Sequence, residues 1–268
     1  MEASTLLSTL LSGQLNAGDV VGFTFFTGYM SMFAASVFFF FERQQVSGKW
    51  KTSLLVSGLI TMIAAVHYYY MRDYYLEMSA AAEAAGRVLG FGEASPTQFR
   101  YIDWTLTVPL MCVEFFLLLR PYGAKTSLMW RLIGYSVVML VAGYIGEAFA
   151  ATAGNPGMHS IIWGVISTLG YVGIVYEATA GTVKKLADAS SNPDVGRAVR
   201  LLRNFVVVGW AIYPIGYMLM PGNLLAGFND VLNIDLIYNI GDAVNKIGFG
   251  LVVYSVAINS TKREGLTA

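Results

Sequence analysis

The chain has 268 residues, of which 56% are hydrophobic, 14% aromatic and only 13% charged, a composition typical of membrane-embedded rather than soluble chains. Its 17 basic and 17 acidic residues cancel, so nothing in the global charge favours nucleic acid as a partner. A single cysteine, Cys112, excludes an internal disulfide framework, and with only His67 and His159 a cysteine or histidine metal cluster is not expected.

In chain order, the first 19 residues lack a basic start and a long apolar core, so they are expected to form a short external tail, not a cleaved signal. Apolar segments of spanning length then follow at about 19–41, 52–76, 98–119, 127–150, 158–182, 198–220 and 234–259. Strand alternation is absent, and in lipid the helix satisfies its own backbone. The expected fold is therefore an all-α membrane protein, a single seven-transmembrane-helix bundle over 1–268 surrounded by lipid. Thirteen of the seventeen basic residues fall after spans one, three and five and in the carboxyl tail, Arg43, Lys125, Arg200 and Arg263 among them. By the positive-inside rule the amino terminus is expected outside and the carboxyl terminus in the cytoplasm, as a multi-pass protein of the cell membrane. The connection at 78–97, with its glycines and Pro96, is expected to leave the helix and form a hairpin or cap. The 186–196 loop, with Asn192-Pro193, is expected to separate spans five and six.

The last span, LIYNIGDAVNKIGFGLVVYSVAIN over 236–259, holds two charges, Asp242 and Lys246. A buried ammonium in a bilayer costs about 3 kcal/mol or more, so it calls for a function. Their i, i+4 spacing sets both on one face, about 6 Å apart along the axis. One reading is a structural ion pair. The other is a lysine kept for a Schiff base, with a carboxylate counter-ion one turn away.

The third span, RYIDWTLTVPLMCVE over 100–114, adds Arg100, Asp103, Thr107 and Glu114. Asp103 and Glu114 are eleven residues apart, three turns, which places both carboxylates on one face roughly 16 Å apart. Two acids spaced about a lysine suit stepwise proton transfer across a barrier. Arg100 lies one turn beyond Asp103, where its charge would stabilise ionised Asp103 and Asp242, and Pro109 is expected to kink the helix.

RYIDWTLTVP followed by Glu114, together with GDAVNKIGFG, resembles the microbial (type 1) rhodopsins, with proteorhodopsin and xanthorhodopsin as the nearest branches. The resemblance spans all seven helices. It implies all-trans retinal held as a protonated Schiff base on Lys246, with Asp103 and Asp242 as counter-ions. Asp103 would be the primary proton acceptor, and Asp103, Thr107 and Glu114 resemble the pattern of outward proton pumps, with Glu114 as donor. Trp104, Trp210, Tyr213 and Pro214 match the family's retinal-packing residues, and Met111 matches a position that tunes colour, its apolar side chain being similar to the green-absorbing members. In the run HYYYMR, His67 resembles a histidine that bonds the acceptor carboxylate and would couple the two titrations. Gly164 in WGVIST stands where bacteriorhodopsin has tryptophan. The resemblance implies a window there in which a carotenoid antenna can lie, although glycine also serves close helix packing. The external glutamate pair of bacteriorhodopsin is matched by Gly222 and Ile234, which leaves Glu147, Asp230 and Asp235 as candidates for proton release.

The expected function is a light-driven outward proton pump, a transporter rather than an enzyme, with a sensory photoreceptor as the alternative. Family members resemble trimers or pentamers, so a homo-oligomer is expected, with protons as cargo.

Overall fold

A computed structural model describes residues 19–90, 92–150, 153–228 and 233–265. Residues 1–18 of the expected external tail, and Asp230, lie outside these residues. Seven spans are long and apolar enough to cross a membrane. They comprise α1 (Val20–Glu42), α2 (Lys51–Ala84), α3 (Thr97–Leu119), α4 (Thr126–Ala148), α5 (Pro156–Thr179), the short α6 (Thr182–Asp188), α7 (Pro193–Asn204), α8 (Ile212–Met218) and α9 (Ile234–Arg263). The α7 and α8 helices form one span, joined by a π-helical segment at Phe205–Gly209. Among the described residues there is no strand.

Local chemistry sets the helix starts. Asp19, Asn155, Asn192 and Asn233 each accept a backbone N–H of the first turn with the side chain, and Pro156 and Pro193 stand at the first helical position. Pro109 lies inside α3, which runs unbroken to Leu119.

Successive long helices pack side by side, and α9 closes the bundle against α1, α2 and α7. Large apolar residues such as Phe23, Leu106, Leu169, Val208 and Leu251 point outward, whereas Arg100, Asp103, Glu114, Asp242 and Lys246 are buried. That inversion suits hydrocarbon as the surrounding solvent. Between α4 and α5 a Cβ at Gly170 would press on the Tyr135 carbonyl and the Met139 amide, so glycine there lets two backbones touch.

Two connections differ from expectation. The α2 helix runs eight residues past 76, because MSAAAEA is rich in strong helix formers, and it ends at Gly86, whose φ is +64°. The described residues between Ala84 and Thr97 form turns, with no hairpin strands. Instead, Arg87 pairs with Glu93 at 2.5 Å, and Ser95 Oγ donates to Asp235 Oδ1 at 2.8 Å, fastening the loop across the bundle mouth. Between spans five and six, part of the expected loop is helical, as α6.

Candidate functional site

The site begins with one nitrogen. Lys246 Nζ donates to Asp103 Oδ2 at 2.6 Å and lies 3.2 Å from Asp242 Oδ2, with all three residues 2% exposed or less. Two carboxylates against one ammonium leave a net negative charge in a dry interior, which requires further donors. Asp242 receives them: Tyr68 OH donates to Oδ2 at 2.7 Å, Tyr213 OH to Oδ1 at 2.6 Å, and Trp104 Nε1 reaches both oxygens at 3.1 Å. Asp103 is far less tied, since its Oδ1 has no hydrogen-bond partner among the described residues. The two acids flanking Lys246 are therefore unlike, one fixed by three donors and the other with a free oxygen.

Arg100 does not touch either carboxylate. Its Nη2 donates to Asp235 Oδ1 at 2.9 Å and to Asn239 Oδ1 at 2.8 Å, and its Nη1 to Tyr68 OH at 3.3 Å. The rings of Phe25, Tyr68 and Tyr238 surround the guanidinium at 5.3–5.8 Å. Its link to Asp242 runs through the Tyr68 hydroxyl. Thr107 Oγ1 donates to the Asp103 backbone carbonyl at 2.9 Å rather than to the carboxylate.

The expected bond from His67 to the acceptor is not formed. His67 Nδ1 stands 4.0 Å from Asp103 Oδ1 and is engaged instead with the Ile63 carbonyl at 2.8 Å, one turn back on its own helix. Glu114 is fully buried toward the other end of α3, with Ser57 Oγ donating to its Oε1 at 3.1 Å and no partner on Oε2.

Beside this cluster is a cavity of about 390 Å³ walled by Tyr101, Trp104, Trp210, Tyr213, Pro214 and Tyr238; Gly164 also lines it, with the Tyr217 ring packed against its Cα. Trp104 and Tyr213 belong both to the cavity wall and to the donor set on Asp242, so the cavity abuts the lysine cluster. Met111 is buried but does not line the cavity. Beyond the cavity, Glu147 accepts from Tyr101 OH at 2.9 Å and Thr97 Oγ1 at 3.2 Å. Tyr68, Tyr238 and Asn239 were not singled out in the sequence. Tyr68 follows His67 in HYYYMR, and Asn239 lies three residues before Asp242, so helical spacing from the known charges was the available signal.

The family profile described as Bacteriorhodopsin-like protein matches residues 19–260. The chain belongs to the bacteriorhodopsin-like family. Among its relatives in that family, the green-light absorbing proteorhodopsin of a gamma-proteobacterium is 42% identical over 250 residues, covering 93% of this chain and 91% of the relative. Among solved structures of rhodopsins, that of Exiguobacterium sibiricum rhodopsin matches with a TM-score of 0.74 at 30% identity, covering 91% of this chain and 98% of the other. Xanthorhodopsin, described as a light-driven ion pump with dual chromophore, matches with a TM-score of 0.75 at 28% identity, covering 92% and 96%. This rhodopsin is thus a multi-pass protein of the cell membrane.

Proposed function

We propose that the chain is a light-driven outward proton pump that carries retinal on Lys246, with the amino terminus outside. The observation that carries this reading is the buried Lys246 Nζ between two acids of unequal freedom, with a third buried acid, Glu114, farther along α3. The cavity fits the chromophore: its volume suits a small organic ligand, its walls are flat aromatic faces, and it abuts the lysine cluster. Bound there, retinal would supply absorption of visible light and a change of shape about one double bond.

The side chains do the rest. Lys246 Nζ holds a proton 2.6 Å from Asp103 Oδ2, within direct transfer distance. Asp103 suits the acceptor role because its other oxygen is unpartnered, whereas Asp242 is committed to three donors and stays as the fixed negative charge. Glu114 returns a proton to the same nitrogen from the cytoplasmic side. Arg100 with Asp235, and Glu147 with Tyr101, stand toward the outside as candidates to pass the proton on. A donor carboxylate favours a pump over a sensor, which needs no return path.

Retinal-supplied cells should acidify their medium in light, with the change abolished by a protonophore and absent in Asp103→Asn. Retinal binding without any light-driven pH change would sink the pump and favour a photosensor. Gly164 in the cavity wall is where this reading extends to a second, carotenoid chromophore. There, Gly164→Trp should abolish any carotenoid-sensitised pumping and spare retinal-driven pumping.

A further inference from the structure

The sixth span is not a regular helix where it faces the cavity. Trp210 N–H reaches back five residues to the Phe205 carbonyl at 2.9 Å, while Ala211 N–H and Tyr213 N–H reach back only three, to Val208 at 3.3 Å and Trp210 at 3.2 Å. In an α-helix these three amides would serve the carbonyls of residues 206, 207 and 209. Those are the three carbonyls that side chains of other helices occupy. Tyr171 OH on α5 donates to Val206 O at 2.9 Å and is 3.0 Å from Val207 O, and Asn245 Nδ2 on α9 donates to Gly209 O at 3.1 Å. Carbonyls freed in hydrocarbon must find such donors.

The wide turn also explains a glycine. A Cβ on Gly209 would collide with Asn245 Oδ1, so the amide docks only against a bare backbone. Trp210 follows directly, Tyr213 one turn on, and both line the cavity; Asn245 directly precedes Lys246. A π turn inserts one residue and so rotates everything after it relative to a regular helix.

We infer that Tyr171 and Asn245 are positioning residues that clamp this wide turn and thereby aim Trp210 and Tyr213 at the chromophore cavity and at Asp242. The inference rests on the reading of that cavity as the retinal site. Among the described residues no other side chain holds these three carbonyls, so the clamp is the link by which α5 and α9 set the wide turn of the sixth span.

The test compares Tyr171→Phe and Asn245→Ala with Tyr176→Phe, an exposed tyrosine on the same helix as Tyr171. Amide exchange is read over 205–213 in the protein without chromophore, and the absorption maximum after adding all-trans retinal. The clamp predicts exchange about tenfold faster in the first two variants and a displaced absorption maximum, with neither change in the third. Gly209→Ala should act like Asn245→Ala, and the two together should be no worse than either alone, since both undo one contact. Exchange equal to that of Tyr176→Phe overturns the clamp. Faster exchange with an unmoved absorption band overturns the positioning role. If the parent protein takes up no retinal, the proposed function fails, and the exchange comparison still decides the clamp.

Discussion

Around Asp242 the interior is crowded with polar groups: three donors hold the carboxylate, and Arg100, Asp235, Asn239 and Ser95 continue the network toward the loop that ends at Thr97. Around Glu114 the hydrogen-bonding side chains are two buried serines, Ser57 and Ser53, one turn apart on α2, and Phe115 and Leu118 on its own helix are apolar and buried. The same lysine thus has a continuous polar lattice on one side and, on the other, a separate buried acid held only by serines. On the proposed pump, a proton leaving toward the lattice would meet hydrogen-bonding groups throughout, whereas one returning on the other side would come from Glu114. Unequal surroundings of this kind give transfer a direction.

Breaking the crowded side should have the largest effect. Asp242→Ala strands three buried donors and leaves Lys246 with one acid, at a cost of about 4 kcal/mol, seen as a lowered midpoint in thermal unfolding. On the sparse side, Glu114→Gln should leave folding and colour nearly intact yet slow proton return by about a hundredfold, measured by flash spectroscopy. A permeant weak acid in the buffer should restore the rate, since only the proton source is missing. Ser57→Ala removes the hydrogen bond that holds Glu114 once it has given up its proton, and should slow the same step roughly fivefold, in keeping with about 1 kcal/mol.

The smallest effect sharpens the contrast at the loop over the crowded end. The Gly90 backbone N–H, and then the Arg87 guanidinium, hold the exposed Glu93 carboxyl below its ordinary value. A carboxyl lowered in the folded state contributes order above its unfolded value, and that contribution is lost as pH falls through the lowered one. Amide exchange over 87–90 should therefore be faster in Glu93→Gln than in the parent at neutral pH. The two should converge only once the pH has fallen below the lowered value, where both side chains are uncharged.

Much of this was legible because bilayers enforce simple rules. Apolar run length marked the seven spans to within a few residues, except that Gly and Pro were read as ending α2 before its alanines did. The charged residues of α3 and α9 announced themselves by their cost in lipid, and helical spacing already aligned Asp103 with Glu114 and Asp242 with Lys246. Partners across helices were harder. Arg100 was expected to act on Asp103 and Asp242 by charge; its charge does act on Asp242, but the hydrogen bonds that hold it, to Asp235 and Asn239, were not read from the sequence. His67, whose Nδ1 is taken by its own helix, lies 4.0 Å from Asp103. The wide turn at FVVVG has no signature at all. Its valines suit any lipid-facing helix, and the donors that hold it lie 35 residues upstream and 36 downstream.

The unbroken α2 has 34 residues and so is about 51 Å long, well beyond the ~30 Å hydrocarbon layer. Its middle carries Tyr68, hydrogen-bonded to Asp242, and its outer half is tied to α1 by Tyr75 OH, which donates to Asp19 Oδ1 at 3.0 Å. It is therefore a rigid mast stepped in the reaction centre. A reporter fixed near Ala84 would translate sub-ångström tilts at Asp242 into larger displacements outside the membrane, giving an optical or magnetic gauge of the buried cluster without touching it.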